Sequence, residues 1–192
     1  MAKRVFFSFH YQDVIDFRAN VVRNHWVLKD DREAAGFFDA SIWEEKKRSG
    51  DTALKNLISE GLKNTSNSCV LVGTETYKRP WVKYEIFKSI AVGNHLFAVH
   101  INSIKGRDQK IKSLGTNPFD WFGLRFNSDG TIATPIEYNG KEWVTYSKHD
   151  PIKLSSPRDR SDWNKSYKLS KWYKIYDWSF DDGYNNFSNW VK

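Results

Sequence analysis

Residues 68–101 read SCVLVGTETYKRPWVKYEIFKSIAVGNHLFAVHI, and this pattern decides the fold class. Ser68 to Gly73 is a short apolar run bounded by turn residues, as a buried strand requires. Pro80 stands where the first helical turn tolerates a missing N–H, Trp81 to Val92 carry apolar residues at helical spacing, and Gly93 supplies a stop. His95 to Ile101 returns to an apolar run. Strand, helix and strand in this order predict two parallel strands joined by a crossover helix.

The alternation extends toward the N-terminus. Arg4 to Phe9 (RVFFSF) predicts a first strand. Gln12 to Trp26 predicts a helix, with Val14, Phe17, Val21, Val22 and Trp26 at broadly helical spacing and Asp13 and Asp16 near its positive start. Gly36 to Ala40 predicts a second strand, and Ser49-Gly50-Asp51-Thr52 offers caps for a helix carrying Leu54, Leu57, Ile58 and Leu62. Four strands separated by three helical patterns imply an α/β doubly wound parallel sheet with helices on both faces. Ligands of such sheets bind beyond the carboxyl ends of the strands. Those ends are Ser8 to Gln12, Asp39 to Trp43, Gly73 to Thr76 and the turn after Ile101.

After residue 102 the pattern changes. Asn139-Gly140 lies between Ile136-Glu137-Tyr138 and Glu142-Trp143-Val144, a hairpin signature, and Asp181-Asp182-Gly183 can open a final helix whose Tyr184, Phe187 and Val191 share a face. Six of the nine Trp lie after residue 110, so the aromatic richness of the chain belongs to this extension. The expected organisation over residues 1–192 is one domain, with a core at about 4–101 and a hairpin-and-helix extension at about 102–192. Truncation after Ile101 is expected to unfold it.

Composition prunes the functional classes. The net charge of +7 is diffuse: residues 1–110 hold 18 Lys+Arg against 13 Asp+Glu, and residues 111–192 hold 12 against 10. A nucleic-acid binder concentrates its cations, whereas the densest cluster here, Lys46-Lys47-Arg48, follows Glu44-Glu45. Cys69 has no cysteine partner, no run approaches the roughly 18 apolar residues of a membrane span, and the N-terminal run is too short for a signal peptide. The expectation is a cytoplasmic protein that engages neither nucleic acid nor membrane. There is no G-x-G-x-x-G, no G-x-x-x-x-G-K-[ST] and no G-x-S-x-G, and the five His with the single Cys show no metal-ligand spacing.

What remains is a set of three boxes at strand ends. Phe6-Phe7-Ser8-Phe9-His10-Tyr11-Gln12-Asp13 forms F-x-S-[FY]-x-x-x-D, Asp39-Ala40-Ser41-Ile42-Trp43 forms D-x-S-x-W, and Trp81 with Glu85 forms W-x-x-x-E. Together they resemble the flavodoxin-like TIR fold, specifically the stand-alone bacterial TIR-like proteins of Thoeris anti-phage systems. The resemblance runs over residues 4–101, and the segment from Tyr176-Asp177-Trp178 to Trp190-Val191 is similar as well.

The resemblance implies an enzyme. TIR enzymes cleave the N-glycosidic bond of NAD+, and Thoeris members join the ends to form a cyclic ADP-ribose isomer, a second messenger. NAD+ is then the substrate, with no further cofactor and no metal. A phage trigger would start the reaction, and the product would activate a separate effector similar to ThsA. The implied catalytic carboxylate is Glu85. Loss of nicotinamide leaves an oxocarbenium-like ribose, which an anion stabilises, and nicotinamide departs without protonation because it is already cationic.

Around Glu85 the resemblance implies a pocket. Trp81, one turn earlier on the same helix face, can pack against the carboxylate or shape the ribose site. Ser8, Phe7 and His10 stand where family members place the pocket wall, although core packing suits Phe7 and Phe9 better. Asp39 could bond a ribose or order its loop, and Trp43 could stack on a ring or anchor its loop. Ser41 to Asp51 corresponds to the loop through which similar proteins meet a neighbouring copy. Lys46, Lys47 and Arg48 read as a solvated run. Two alternatives remain: a non-catalytic TIR-type assembly module, and a receiver or flavin-binding domain. Gly73-Thr74 at the third strand end and Phe9-His10-Tyr11 at the first weaken the latter.

Overall fold

A computed structural model describes residues 3–38 and 40–192, leaving out the side chains of Ala40 and Ser41. Four strands, β1 (Lys3–Ser8), β2 (Arg32–Ala35), β3 (Asn67–Val72) and β4 (His95–His100), alternate with helices α1 (Tyr11–Ile15), α2 (Arg18–Val27), α3 (Ala40–Arg48), α4 (Asp51–Leu62) and α5 (Pro80–Ala91). The extension adds β5 (Phe122–Phe126), β6 (Ile132–Tyr138), β7 (Trp143–Thr145), β8 (Ile152–Lys153) and β9 (Ser166–Lys168), then β10 (Ile175–Asp177) and α6 (Gly183–Trp190). The parallel sheet runs β10-β4-β3-β1-β2. This is the doubly wound order in which β1 and β3 flank the point where the connections diverge.

Alternation along β1 sorts the core into two layers. Val5 and Phe7 join Cys69, Leu71, Phe97 and Val99 beneath α2 and α6. Phe6 faces the other way with Ile58, Leu62 and Tyr84 of α4 and α5. All six residues of β3 are buried, as a central parallel strand covered on both faces demands.

Several expectations are corrected. The second strand is Arg32–Ala35, upstream of Gly36 to Ala40. Being an edge strand that pairs with β1 alone among the described residues, it carries polar residues, and the following Gly36 has φ +88°, which breaks the extended chain. Phe37 packs instead on Phe7 and Phe9. The helix expected over Gln12 to Trp26 is broken at Phe17, whose φ is +64°. The break turns Arg18 inward, where Nε donates to the Ile104 carbonyl at 3.0 Å, Nη2 to the Lys110 carbonyl at 2.7 Å and Nη1 to Asp16 at 3.0 Å. The segment expected as a loop over Ser41 to Asp51 is mostly helix α3, its charge run supporting the i,i+3 pair Lys47–Glu44 at 3.6 Å.

The extension does two things. Its β5–β9 strands form a second, antiparallel sheet that includes the expected hairpin, with Tyr138 opposite Trp143 and Gly140 at φ +100°. Its β10 returns to pair with β4 as the fifth strand of the parallel sheet. Helix α6 then docks through Phe187, stacked on Phe7 at 6.1 Å and edge-on to Trp26 at 5.5 Å. Tyr184 does not share that buried face: it is exposed and lies against His25. No described helix is long and apolar enough to cross a membrane.

Candidate active site

Helix α5 starts where local chemistry obliges it to. Pro80 has no N–H to leave unpaired, and it holds the preceding Arg79 extended at φ −75°, ψ 120°. The Arg79 N–H donates to the Thr76 carbonyl at 3.1 Å, and its carbonyl accepts from Lys83 N at 3.0 Å. Further along the helix, Glu85 turns into the protein. Ser8, on the β1 face opposite to Phe7, donates its hydroxyl to Glu85 Oε2 at 2.5 Å. Glu85 is only 5% exposed and Ser8 only 2%.

This burial sets the charge of Glu85. Loss of water raises its carboxyl to about 8, against the opposing pull of the Ser8 hydrogen bond. At neutral pH the acid form therefore predominates in the protein by itself, and an adjacent cation would favour the carboxylate. A displaced carboxyl at the edge of a cavity is a mark of functional sites.

The cavity it borders measures about 410 Å³, within the ~300–1,000 Å³ usual for small-molecule sites. It opens at the divergence point of the sheet. Phe7, Phe9, His10 and Tyr11 come from the end of β1, Gly36 and Phe38 from the end of β2, and Trp43, Glu44 and Lys47 from α3. Arg79, just before α5, and Pro80, Trp81, Val82 and Glu85 of α5 complete it. Gly36 is required on two counts: its φ is positive, and a Cβ there would overlap the backbone of Phe7. Its lack of a side chain lets Phe38 and α3 close over the strand end.

The wall is aromatic. Phe38 stacks on Trp43 with centroids 6.0 Å apart, Trp43 stands perpendicular to Trp81 at 6.4 Å, and Trp81 meets Tyr84 edge-on at 6.0 Å. His10 is half-buried, and desolvation, reinforced by the Arg79 charge, lowers its imidazole below the ordinary value. It is neutral at pH 7.

Of the residues singled out in the sequence, Glu85, Trp81, Trp43, His10 and Phe7 all line this cavity. Ser8 does not line it but touches Glu85 from behind. Asp39 and the Ser41 side chain lie outside the described residues. Lys47, expected as part of a solvated run, borders the cavity, and so do Arg79 and Phe38, which sequence reasoning missed. The signal for Arg79 was present: it precedes the helix-opening proline that follows the end of β3.

The outer side of α5 is held by the extension. Lys83 Nζ pairs with Glu137 at 2.5 Å, and Phe87 packs on Tyr146 at 5.1 Å and Phe122 at 6.0 Å. The Tyr146 hydroxyl donates to the Pro80 carbonyl at 3.2 Å. Lys148 lies over the Trp81 ring at 5.5 Å while pairing with Asp51 at 3.3 Å.

Two comparisons bear on the site. Residues 6–105 match the family model described as "Thoeris protein ThsB, TIR-like domain". Across 191 residues, covering 100% of both chains, the protein is 54% identical to a Bacillus cereus (strain MSX-D12) protein whose name reads "Putative cyclic ADP-D-ribose synthase ThsB1".

Proposed function

The chain belongs to the family of Thoeris ThsB TIR-like domains, and from that premise we propose that it is an NAD+-consuming cyclase with Glu85 as its catalytic carboxylate. The observation that carries the proposal is a buried carboxyl bordering an aromatic-walled cavity at the divergence point of the sheet. In the proposed reaction the nicotinamide end of NAD+ enters beside Trp81, and its positive charge draws Glu85 into the ionised form. The C1′–N bond breaks with its electron pair leaving on nicotinamide, which departs neutral. Glu85 faces the cationic ribose, and Ser8 keeps one carboxylate oxygen oriented by its hydrogen bond.

Cyclisation follows when a nucleophilic atom of the same ADP-ribose supplies an electron pair to C1′. One proton is released overall, so that NAD+ yields nicotinamide, a cyclic ADP-ribose isomer and H+. Aromatic surfaces at Phe38, Trp43 and Trp81 suit the stacking of flat rings and exclude water that would otherwise give the open product. The product then serves as a diffusible signal for an effector similar to ThsA, after a phage trigger. The Ser41–Asp51 segment is the proposed contact with a second copy. Assembly there would reach the cavity directly, because α3 carries Trp43 and Lys47.

Mass spectrometry of small molecules from phage-infected cells carrying wild-type or Glu85→Gln protein tests the reading. A cyclic ADP-ribose isomer in wild type, lost in a folded Glu85→Gln protein, is the expected result. Linear ADP-ribose alone would reduce the activity to hydrolysis. An unchanged nucleotide pool with an active defence response would leave an assembly module.

A further inference from the structure

The guanidinium groups of the buried Arg18 and the half-buried Arg79 stand in contrasting states. Arg18 is saturated, with Nε, Nη1 and Nη2 all bonded. Arg79 is fixed at its backbone on both sides, yet its buried Nε has no hydrogen-bond partner and its head makes no ion pair among the described residues. A buried charged donor left unmade costs free energy, so an arrangement that holds one in place at a cavity wall is suited to an incoming acceptor. The same cavity carries a second cation, Lys47, across on α3.

We propose that Arg79 is the diphosphate-binding residue of this cavity, with Lys47 as the cation at its rim. The proposal rests on the NAD+ reading and adds where the charged middle of the substrate lies. Planar guanidinium matches two phosphate oxygens at once, which a lysine cannot do. Glu85 lies six positions after Arg79, the residue that caps α5, about 9 Å of axial rise, which suits a ribose held with its anomeric carbon at Glu85 and its 5′ phosphate toward Arg79. Trp81 lies between them on the same helix and borders the same cavity.

The test is calorimetric binding to the full-length Glu85→Gln protein, chosen because turnover is expected to be lost in it, with and without Arg79→Gln or Arg79→Lys. The ligands are NAD+, nicotinamide riboside and inorganic pyrophosphate. Arg79→Gln is expected to weaken NAD+ and pyrophosphate ~10–100-fold and to leave nicotinamide riboside unchanged, while Arg79→Lys recovers part of the loss. Equal weakening of NAD+ and nicotinamide riboside would overturn the proposal in favour of a structural role. NAD+ affinity indifferent to Arg79 would overturn it too. If neither nicotinamide compound binds but pyrophosphate does so through Arg79, the anion subsite stands and the NAD+ reading fails.

Discussion

The parallel sheet and the antiparallel extension solve burial differently. In the core, β3 is covered on both faces and its six residues are all buried, so its neighbours pack as fully enclosed apolar layers of aliphatic and aromatic side chains. In the extension, β7 and β9 expose the residues at both of their ends, and the sheet is covered by rings and cations. Arg158 lies over both Phe126 and Trp172 at 5.4 Å, and Lys171 over Tyr167 at 3.3 Å. Aromatic rings cover a small sheet well because they bury area while presenting polar edges and π faces to solvated charges. The core therefore lines the candidate site, and the extension holds α5 from the outside.

Removing the extension is the severest way to break that division. Truncation after Ile101 deletes β10, α6 and the whole outer support of α5, and the loss should exceed the ~5–15 kcal/mol of a typical domain. Circular dichroism should show no cooperative melting. A folded, active fragment would make the extension an ornament.

The next effect is electrostatic and belongs to the core. Glu85 binds its proton more tightly in the folded state than in the unfolded chain, so between about pH 4 and 8 the folded form retains a proton that the unfolded form loses. Stability is thus highest on the acid side of this window and falls as pH rises through it. Asp13, raised by burial to about 6, acts in the same direction over the lower half. Melting temperature should drop by roughly 5 °C between pH 6 and 9, and Glu85→Gln should remove most of that drop. An equal slope in the variant would show that the burial of this carboxyl carries no energetic cost.

Smaller effects sharpen the boundary between the regions. Tyr146→Phe deletes the bond to the Pro80 carbonyl and should cost about 1 kcal/mol, with kcat falling several-fold and KM for NAD+ held within twofold. A change in KM alone would place Tyr146 in binding rather than in positioning α5. Lys148→Met loses an exposed ion pair with Asp51 but retains a side chain over Trp81, so a change within about 0.5 kcal/mol is expected in thermal melts. A larger loss would mean that the charge itself steadies the indole.

The fold was legible where hydrophobic pattern and turn chemistry agreed, as in Ser68 to Ile101 and around Asn139-Gly140. It was misread where long-range contacts overrode local pattern. Phe37 and Phe38 look like strand residues, yet they pack on aromatic rings because Gly36 must approach Phe7 closely. Phe17 fits a helical stripe, yet the helix breaks there so that Arg18 can reach the 104–110 loop. Three residues, Ile175–Asp177, are too few to announce a strand, and β4 makes them one by pairing.

The sequence by itself determined the α/β class, the first strand end that borders the candidate cavity, and Glu85 with Trp81 on one face of α5. These are consequences of periodicity and of residue types in register. Tertiary structure alone decided that Ser8 answers Glu85 across 77 positions of chain, that burial raises this acid to about 8, and that Arg79 meets the same cavity with its Nε unpartnered among the described residues. Desolvation and hydrogen bonding depend on which groups meet in space, and no spacing along the chain encodes that meeting.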